Sequence, residues 1–315
     1  MEKLRIVFMG TPEFAVGILD TILKNNHEVV GVITAADKPA GRGQKLKYSA
    51  VKEYALENNL PLLQPINLKD EDFLSELKSL NANLQVVVAF RMLPKVVWEM
   101  PLLGTFNLHA SLLPNYRGAA PINWAIINGE IKTGVTTFFI DDKIDTGAMI
   151  LSSETLIEET ENAGQLHDRL MALGSKTVIA SLEMIEKGTV STIIQTDTAH
   201  IETAYKLNKE NCKIDWTKPA VEINNLIRGL SPYPTAWCFI QDKNEEWNVK
   251  IYEAKIVLED HDFKIGSLIC TKKEMKIAVE NGFIQIVSLQ FPGKKKMNAS
   301  ELLNGIAFSE EAKAH

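Results

Sequence analysis

Short, almost wholly apolar runs recur through residues 1–190, each closed by glycine or a polar turn and separated from the next by a helix-like stretch. Few architectures accommodate that alternation. The runs at 4–9, 29–34 and 84–89 are too short for helices and too apolar for strands with one wet face. They read as strands buried on both sides. Helical stretches are expected at 12–24, 50–58, 70–80, 94–98, 121–128 and 165–187, with further strands at 61–64, 105–108, 135–139 and 149–154. Strands alternating with helices imply an α/β fold, a doubly wound, mostly parallel sheet of Rossmann-like form. Its ligands would bind beyond the carboxyl ends of the strands. After residue 190 the pattern changes. One helix, 219–230, precedes strand-like runs at 236–240, 249–257, 267–271, 275–278 and 283–290. About five short strands suit a small OB-like β-barrel. The expected organisation is a first domain over 1–189, a linker over 190–207 and a second domain over 208–315.

Several functional classes are disfavoured. The opening MEKLRIVFMG has too short an apolar run for a signal peptide, and Gly10-Thr11-Pro12-Glu13 offers no cleavage site. No apolar run approaches the ~18 residues of a membrane helix. Cys212, Cys238 and Cys270 are few, odd in number and far apart, which suits neither a disulfide framework nor a zinc site. A cytoplasmic home and no metal are therefore expected. The turn after the first strand has one glycine where a dinucleotide fingerprint needs three, so no nicotinamide cofactor is expected.

The net charge is −6. Residues 208–315 carry 15 basic and 15 acidic side chains, so the acidic excess lies in residues 1–207. A nucleic-acid partner would have to be met by local patches. One candidate is the segment 35–48, which reads as a Gly- and Pro-rich loop. It carries Lys38, Arg42, Lys45 and Lys47, with Lys52 just beyond, against Asp37. Glycines flank Arg42 and permit backbone freedom. A cationic loop suits RNA phosphates, although composition alone equally describes a solvated surface loop. The triplet Lys294-Lys295-Lys296 is a weaker patch of the same kind, and Trp216, Tyr233 and Trp237 read as packing residues rather than base-stacking platforms.

The densest chemical cluster is TFNLHASLLPNYRGAAP, residues 105–121. Asn107 and His109 are two apart at a strand end, and alternation puts them on one face. Downstream, Asp141-Asp142-Lys143-Ile144-Asp145-Thr146-Gly147 is a polar turn between two strands, from which Asp145 can approach His109. An amide donor, an imidazole and a carboxylate are what acyl transfer to an amine requires. The amide faces a developing oxyanion, the carboxylate orients the imidazole, and one of the ionisable groups or a water moves a proton. Taken singly, Asn-x-His at a strand end and Asp-x-Gly in a turn are more often structural.

The stretch FNLHASLLPNYRGAAPI (106–122) resembles the signature of the folate-dependent formyltransferases. FMGTPEFA (8–15), DKPAGRGQKL (37–46), IDTGAM (144–149) and LIRGLSPYPTAW (226–237) match the family in order. The basic loop and the C-terminal segment resemble the branch that acts on methionyl-tRNA. The resemblance implies a formyl donor, 10-formyltetrahydrofolate, and an initiator methionyl-tRNA acceptor, with a formyltransferase domain followed by a tRNA-binding barrel. It implies that Asn107, His109 and Asp145 are the catalytic group and that Ser111, Leu112, Leu113 and Pro114 line the folate site. It implies that the loop bearing Lys38, Arg42, Lys45 and Lys47 meets the acceptor end of the tRNA. A monomer with no membrane association is expected. Arg91 departs from the family pattern: Phe90-Arg91-Met92-Leu93-Pro94 has arginine where glycine is common, as a cation near the folate tail or a side chain facing solvent. A glycinamide-ribonucleotide or amino-sugar formyltransferase would share residues 106–147 but leave the basic loop and barrel unexplained. A noncatalytic tRNA-binding protein would leave the polar triad unused.

Overall fold

The computed structural model describes residues 3–40, 45–196 and 201–315. Seven strands form one sheet, in the order Met149–Leu156, Lys132–Phe139, Thr105–His109, Leu84–Val88, Arg5–Gly10, Glu28–Ile33, Leu62–Leu63. The four neighbouring pairs from Thr105–His109 to Leu62–Leu63 are parallel, and Lys132–Phe139 pairs antiparallel with Thr105–His109. The expected mostly parallel α/β sheet is therefore present. Leu84–Val88 is buried throughout, whereas the edge strand Met149–Leu156 alternates between covered and exposed positions. That difference is the one expected between a strand covered on both faces and one with a wet face.

Helix Glu13–Lys24 follows the first strand. It buries Phe14, Ala15, Ile18, Leu19 and Ile22, the spacing of a single helical stripe. Full burial of each large aliphatic stabilises the fold by about 1.5–3 kcal/mol. Gly10 is required where strand meets helix, because a Cβ there would lie 2.5 Å from that of Ala15.

The segment expected as a loop at 35–48 contains two paired strands, Lys38–Ala40 and Lys45–Lys47. Three residues are too few for alternation to show, and the surrounding Gly and Pro mask them in the sequence.

The second unit contains a seven-stranded antiparallel sheet in the order Leu268–Cys270, Met275–Val279, Gly282–Gln290, Glu245–Val257, Ala236–Asp242, Lys313–Ala314, with Met297–Asn298 pairing on Gly282–Gln290. Its ends meet. Leu268 N–H donates to the Ala312 carbonyl (2.9 Å) and Ala314 N–H to the Gly266 carbonyl (2.7 Å), which closes the sheet into a barrel. The two strands beyond the expected five are two residues long, below the length at which a pattern registers. Inside lie Cys238, Ile240, Val249, Ile251, Ile277 and Ile284, all fully buried.

The chain divides into two compact units that are not continuous in sequence. Ala119–Lys132 and Leu156–Leu166 group with Ala204–His315, and the remainder forms the other unit. The boundaries 1–189 and 208–315 place both segments in the first domain. The reason for the difference is local packing. Helix Pro121–Ile127 lies against helix Ala220–Leu230, where a Cβ on Gly229 would come within 2.7 Å of Ile127, and Asn123 donates to the Gly229 carbonyl (2.8 Å). The Arg228 guanidinium donates to the Glu158 and Glu161 carbonyls.

Candidate active site

Asn107 lies opposite Val87 and Phe138, and His109 opposite Thr136. Alternation along the strand sends Leu108 to the face of the long helix Ala163–Lys187, where a Cβ added to Gly174 would lie 2.8 Å from Leu108 Cδ2. Asn107 and His109 therefore share the other face. Asn107 is half-buried and His109 is only 7% exposed.

Both ring nitrogens of His109 face an oxygen. Nε2 lies 2.7 Å from the Tyr116 carbonyl. A carbonyl can only accept, so the proton is on Nε2. Nδ1 lies 3.7 Å from Asp145 Oδ2, beyond hydrogen-bond length but within ion-pair range. The Tyr116 carbonyl therefore sets the tautomer, and Nδ1 is left turned towards the carboxylate.

Asp145 reaches His109 because its turn folds back. Strand Lys132–Phe139 ends opposite Phe106, three residues before His109. Asp141 starts the reversal, accepting from Lys143 N–H (3.0 Å) and from the Thr146 hydroxyl (2.8 Å). Gly147 completes it, since a Cβ there would stand 1.7 Å from the Phe139 carbonyl oxygen. Asp145 itself takes a left-handed φ of 54°, and its Oδ2 accepts from Gly118 N–H at 3.0 Å. The two aspartates thus do different work, for Asp141 shapes the turn while Asp145 faces the imidazole.

The segment 111–114 is packed more tightly than a ligand-lining turn would be throughout. Ser111 is fully buried and its hydroxyl donates to the Asn115 carbonyl (2.6 Å). Leu113 is buried, its N–H donating to Thr136 Oγ1 (3.2 Å), and the Leu113–Pro114 peptide is cis. Leu112 and Pro114 remain half-exposed. Arg91 is exposed, with its guanidinium donating to the Pro65 and Ile66 carbonyls. It stands in the wall of an open cavity of about 700 Å³, with Ile66, Lys69, Met92, Asp141 and Asp142 among its neighbours there. That cavity and the His109–Asp145 pair share the turn 141–147.

In the basic hairpin, Lys38 is the cross-strand partner of Lys47, and Lys45 that of Ala40. Lys47 is exposed. Arg42 lies outside the described residues. Lys52 is already neutralised. It donates to Asp37, which also accepts from Gln64 (2.9 Å), and it sits 3.9 Å from the Tyr48 ring centroid. The Lys52 ammonium and Gln64 amide together hold the Asp37 carboxyl below its ordinary range.

Sequence reasoning missed Tyr116 and Gln195. Tyr116 acts through its backbone carbonyl, which any residue would supply. Gln195 falls in the stretch that reads as a linker. Among the described residues no three His, Cys, Asp or Glu side chains gather as a metal site would require, and no helix is long and apolar enough to cross a membrane.

Comparison with known proteins adds to this geometry. The family profile described as Formyl transferase matches residues 4–182, and that described as Formyl transferase, C-terminal domain, matches residues 206–307. The chain is 78% identical over 315 residues to a protein named methionyl-tRNA formyltransferase from Flavobacterium johnsoniae, covering 100% of both. It is 52% identical over 314 residues to one of the same name from Bacteroides thetaiotaomicron, covering 98% of each. Among solved structures it resembles WlaRD, a sugar 3N-formyl transferase, with a TM-score of 0.65 and 24% identity over 94% of this chain and 100% of the other.

Proposed function

We propose that this chain, which belongs to the formyl transferase family, moves a formyl group from 10-formyltetrahydrofolate to the free amino group of methionyl-tRNA. One observation carries the chemistry: the half-buried Asn107 amide shares a strand face with an imidazole whose Nδ1 is turned to a carboxylate 3.7 Å away. The acceptor is inferred from relatives of that name that match the whole chain.

The amine attacks the formyl carbon and a tetrahedral oxyanion forms. The new C–N bond is made, the bond from carbon to the folate nitrogen breaks, and a proton passes from the amine to that leaving nitrogen. Asn107 donates to the oxyanion without changing its own protonation. His109, its Nε2–H committed to Tyr116, takes a proton at Nδ1 and returns it, while Asp145 stabilises the imidazolium. Oxidation state does not change, so the step calls for no nicotinamide, and none of these roles requires a metal.

On this reading Leu112 and Pro114 form the open edge of the folate site, and Ser111 and Leu113 hold its shape from behind. Arg91 places positive charge in the neighbouring cavity, suited to the folate's carboxylates. Lys38, Arg42, Lys45 and Lys47 meet phosphates at the acceptor end of the tRNA. Formylation of a tRNA for translation places the reaction in the cytoplasm. The test is to incubate the protein with 10-formyltetrahydrofolate and methionyl-tRNA and to look for acid-stable formylmethionine. Glycinamide ribonucleotide and a nucleotide-linked amino sugar serve as competing acceptors. Transfer to either of those, with none to the tRNA, would overturn the assignment.

A further inference from the structure

We infer that Gln195 is a positioning residue for the reaction, a bridge that holds the Asp145 turn in register with the segment Arg117–Gly118; this rests on the catalytic reading of Asp145. The argument begins with the chain around it. After helix Ala163–Lys187 the backbone returns to the sheet, where Ile193 N–H donates to the Met149 carbonyl (2.9 Å) and Met149 N–H to the Ile193 carbonyl (2.8 Å). Residues 191–194 and Thr196 are exposed, with Ile193 and Ile194 at 63% and 80%; Gln195 between them is half-buried. A polar side chain turned inward among exposed apolar ones runs against the hydrophobic preference and asks for specific partners.

The partners are present and use both ends of the amide. Nε2 donates to the Asp145 carbonyl (2.9 Å) and to the Gly147 carbonyl (2.8 Å). Oε1 accepts from Arg117 Nε (3.1 Å) and Nη2 (2.7 Å). Two donor and two acceptor positions are therefore filled. Residue 118, next to Arg117, supplies the N–H that binds the Asp145 carboxylate (3.0 Å). Gln195 thus joins the backbone of the Asp145 turn to the chain that also holds its side chain. The distance from Asp145 to His109 Nδ1 depends on that join, because Asp145 sits in a left-handed turn with no regular ladder to fix it.

The chemistry specifies an amide. A carboxylate of the same shape would keep, and strengthen, the contact with Arg117. It would also put negative charge against the Asp145 and Gly147 carbonyl oxygens, which can only accept. Gln195→Glu therefore separates the two halves of the bridge, and Gln195→Ala removes both.

The experiment measures kcat and both KM values for wild type, Gln195→Glu, Gln195→Ala, Asp145→Asn and the Gln195→Glu/Asp145→Asn double variant, with thermal unfolding as a check on folding. Both Gln195 variants should stay folded and lose kcat by roughly tenfold to a hundredfold, the cost of a misplaced catalytic group, with little change in either KM. In the double variant the glutamate should add little to the defect of Asp145→Asn, since both act through one group. Wild-type kcat in Gln195→Glu, a defect confined to KM, or full additivity in the double variant would each overturn the inference. If Gln195→Glu does not fold, Gln195→Ala decides by the same measures in a matching double variant. Near-normal turnover in Asp145→Asn would instead remove the catalytic reading on which the inference rests.

Discussion

His109 is only 7% exposed, and both its nitrogens face an oxygen, so its orientation is set before any substrate arrives. Replacing it removes the imidazole that stands between the Tyr116 carbonyl and the Asp145 carboxylate. His109→Ala and Asp145→Asn are each expected to leave a folded protein with turnover reduced on the order of 100-fold or more. Single-turnover rates with saturating substrates check this, and an Asp145→Asn enzyme near the wild-type rate would remove that residue from the mechanism. The cysteines offer a separate test at this scale. Burial pushes the Cys238 thiol up to about 12, and a thiol so placed is almost wholly protonated at neutral pH. Native protein should resist maleimide at Cys238, and labelling should appear only on unfolding. Rapid labelling of that residue in the folded state would contradict its burial. The shared strand face of Asn107 and His109 and the approach of Asp145 to the imidazole were legible because strand alternation and a polar turn leave marks in the sequence. Tyr116 and Gln195 were not, because one acts through a carbonyl and the other binds backbone atoms, which carry no side-chain signature.

The buried strands and long helices were readable for a physical reason: each must cover a face, and coverage imposes a period. Elements of two or three residues impose none. That explains why Lys38–Ala40, Met297–Asn298 and Lys313–Ala314 escaped notice. The same limit applied to 111–114, where an apolar string gave no sign that Ser111 and Leu113 face inward while Leu112 and Pro114 stay half-exposed. Two substitutions test the elements that position the site. Ile18 is fully buried in the stripe of Glu13–Lys24. Ile18→Ala should destabilise the protein by about 2–5 kcal/mol in denaturant titration, and a cost near zero would show that the helix is not bearing on the sheet. Gly147→Ala acts differently. Its new methyl would stand 1.7 Å from the Phe139 carbonyl oxygen, so the turn must move. Activity should fall further than stability does, because the displaced turn carries Asp145. Equal activity in Gly147→Ala would mean that the turn has another conformation competent for the reaction.

At the scale of the whole molecule the net charge of −6 works against any polyanion. General attraction therefore cannot deliver a tRNA, and local cations must do so. The barrel region 208–315 is neutral in sum and residues 1–207 carry the acidic excess, so the contact falls to local patches, of which the hairpin of the first unit is the denser. There, Lys52 is already paired with Asp37, and the remaining cations of the segment are Lys38, Arg42, Lys45 and Lys47. Arginine is the one among them able to make paired, planar contacts with a phosphate or a base edge. Arg42→Ala is accordingly expected to raise the KM for methionyl-tRNA while leaving the folate KM unchanged. If the contact is to a phosphate, the dependence of log affinity on log salt should also lose about one unit of slope or slightly less, the counterion released by one neutralised charge. Measuring initial rates with tRNA and folate varied separately, at several salt concentrations, gives both quantities. A defect in the folate response alone would move the hairpin to the cofactor side of the site. A weakened tRNA response with an unaltered salt slope would instead assign Arg42 to a base edge, where recognition depends on hydrogen-bond geometry more than on charge.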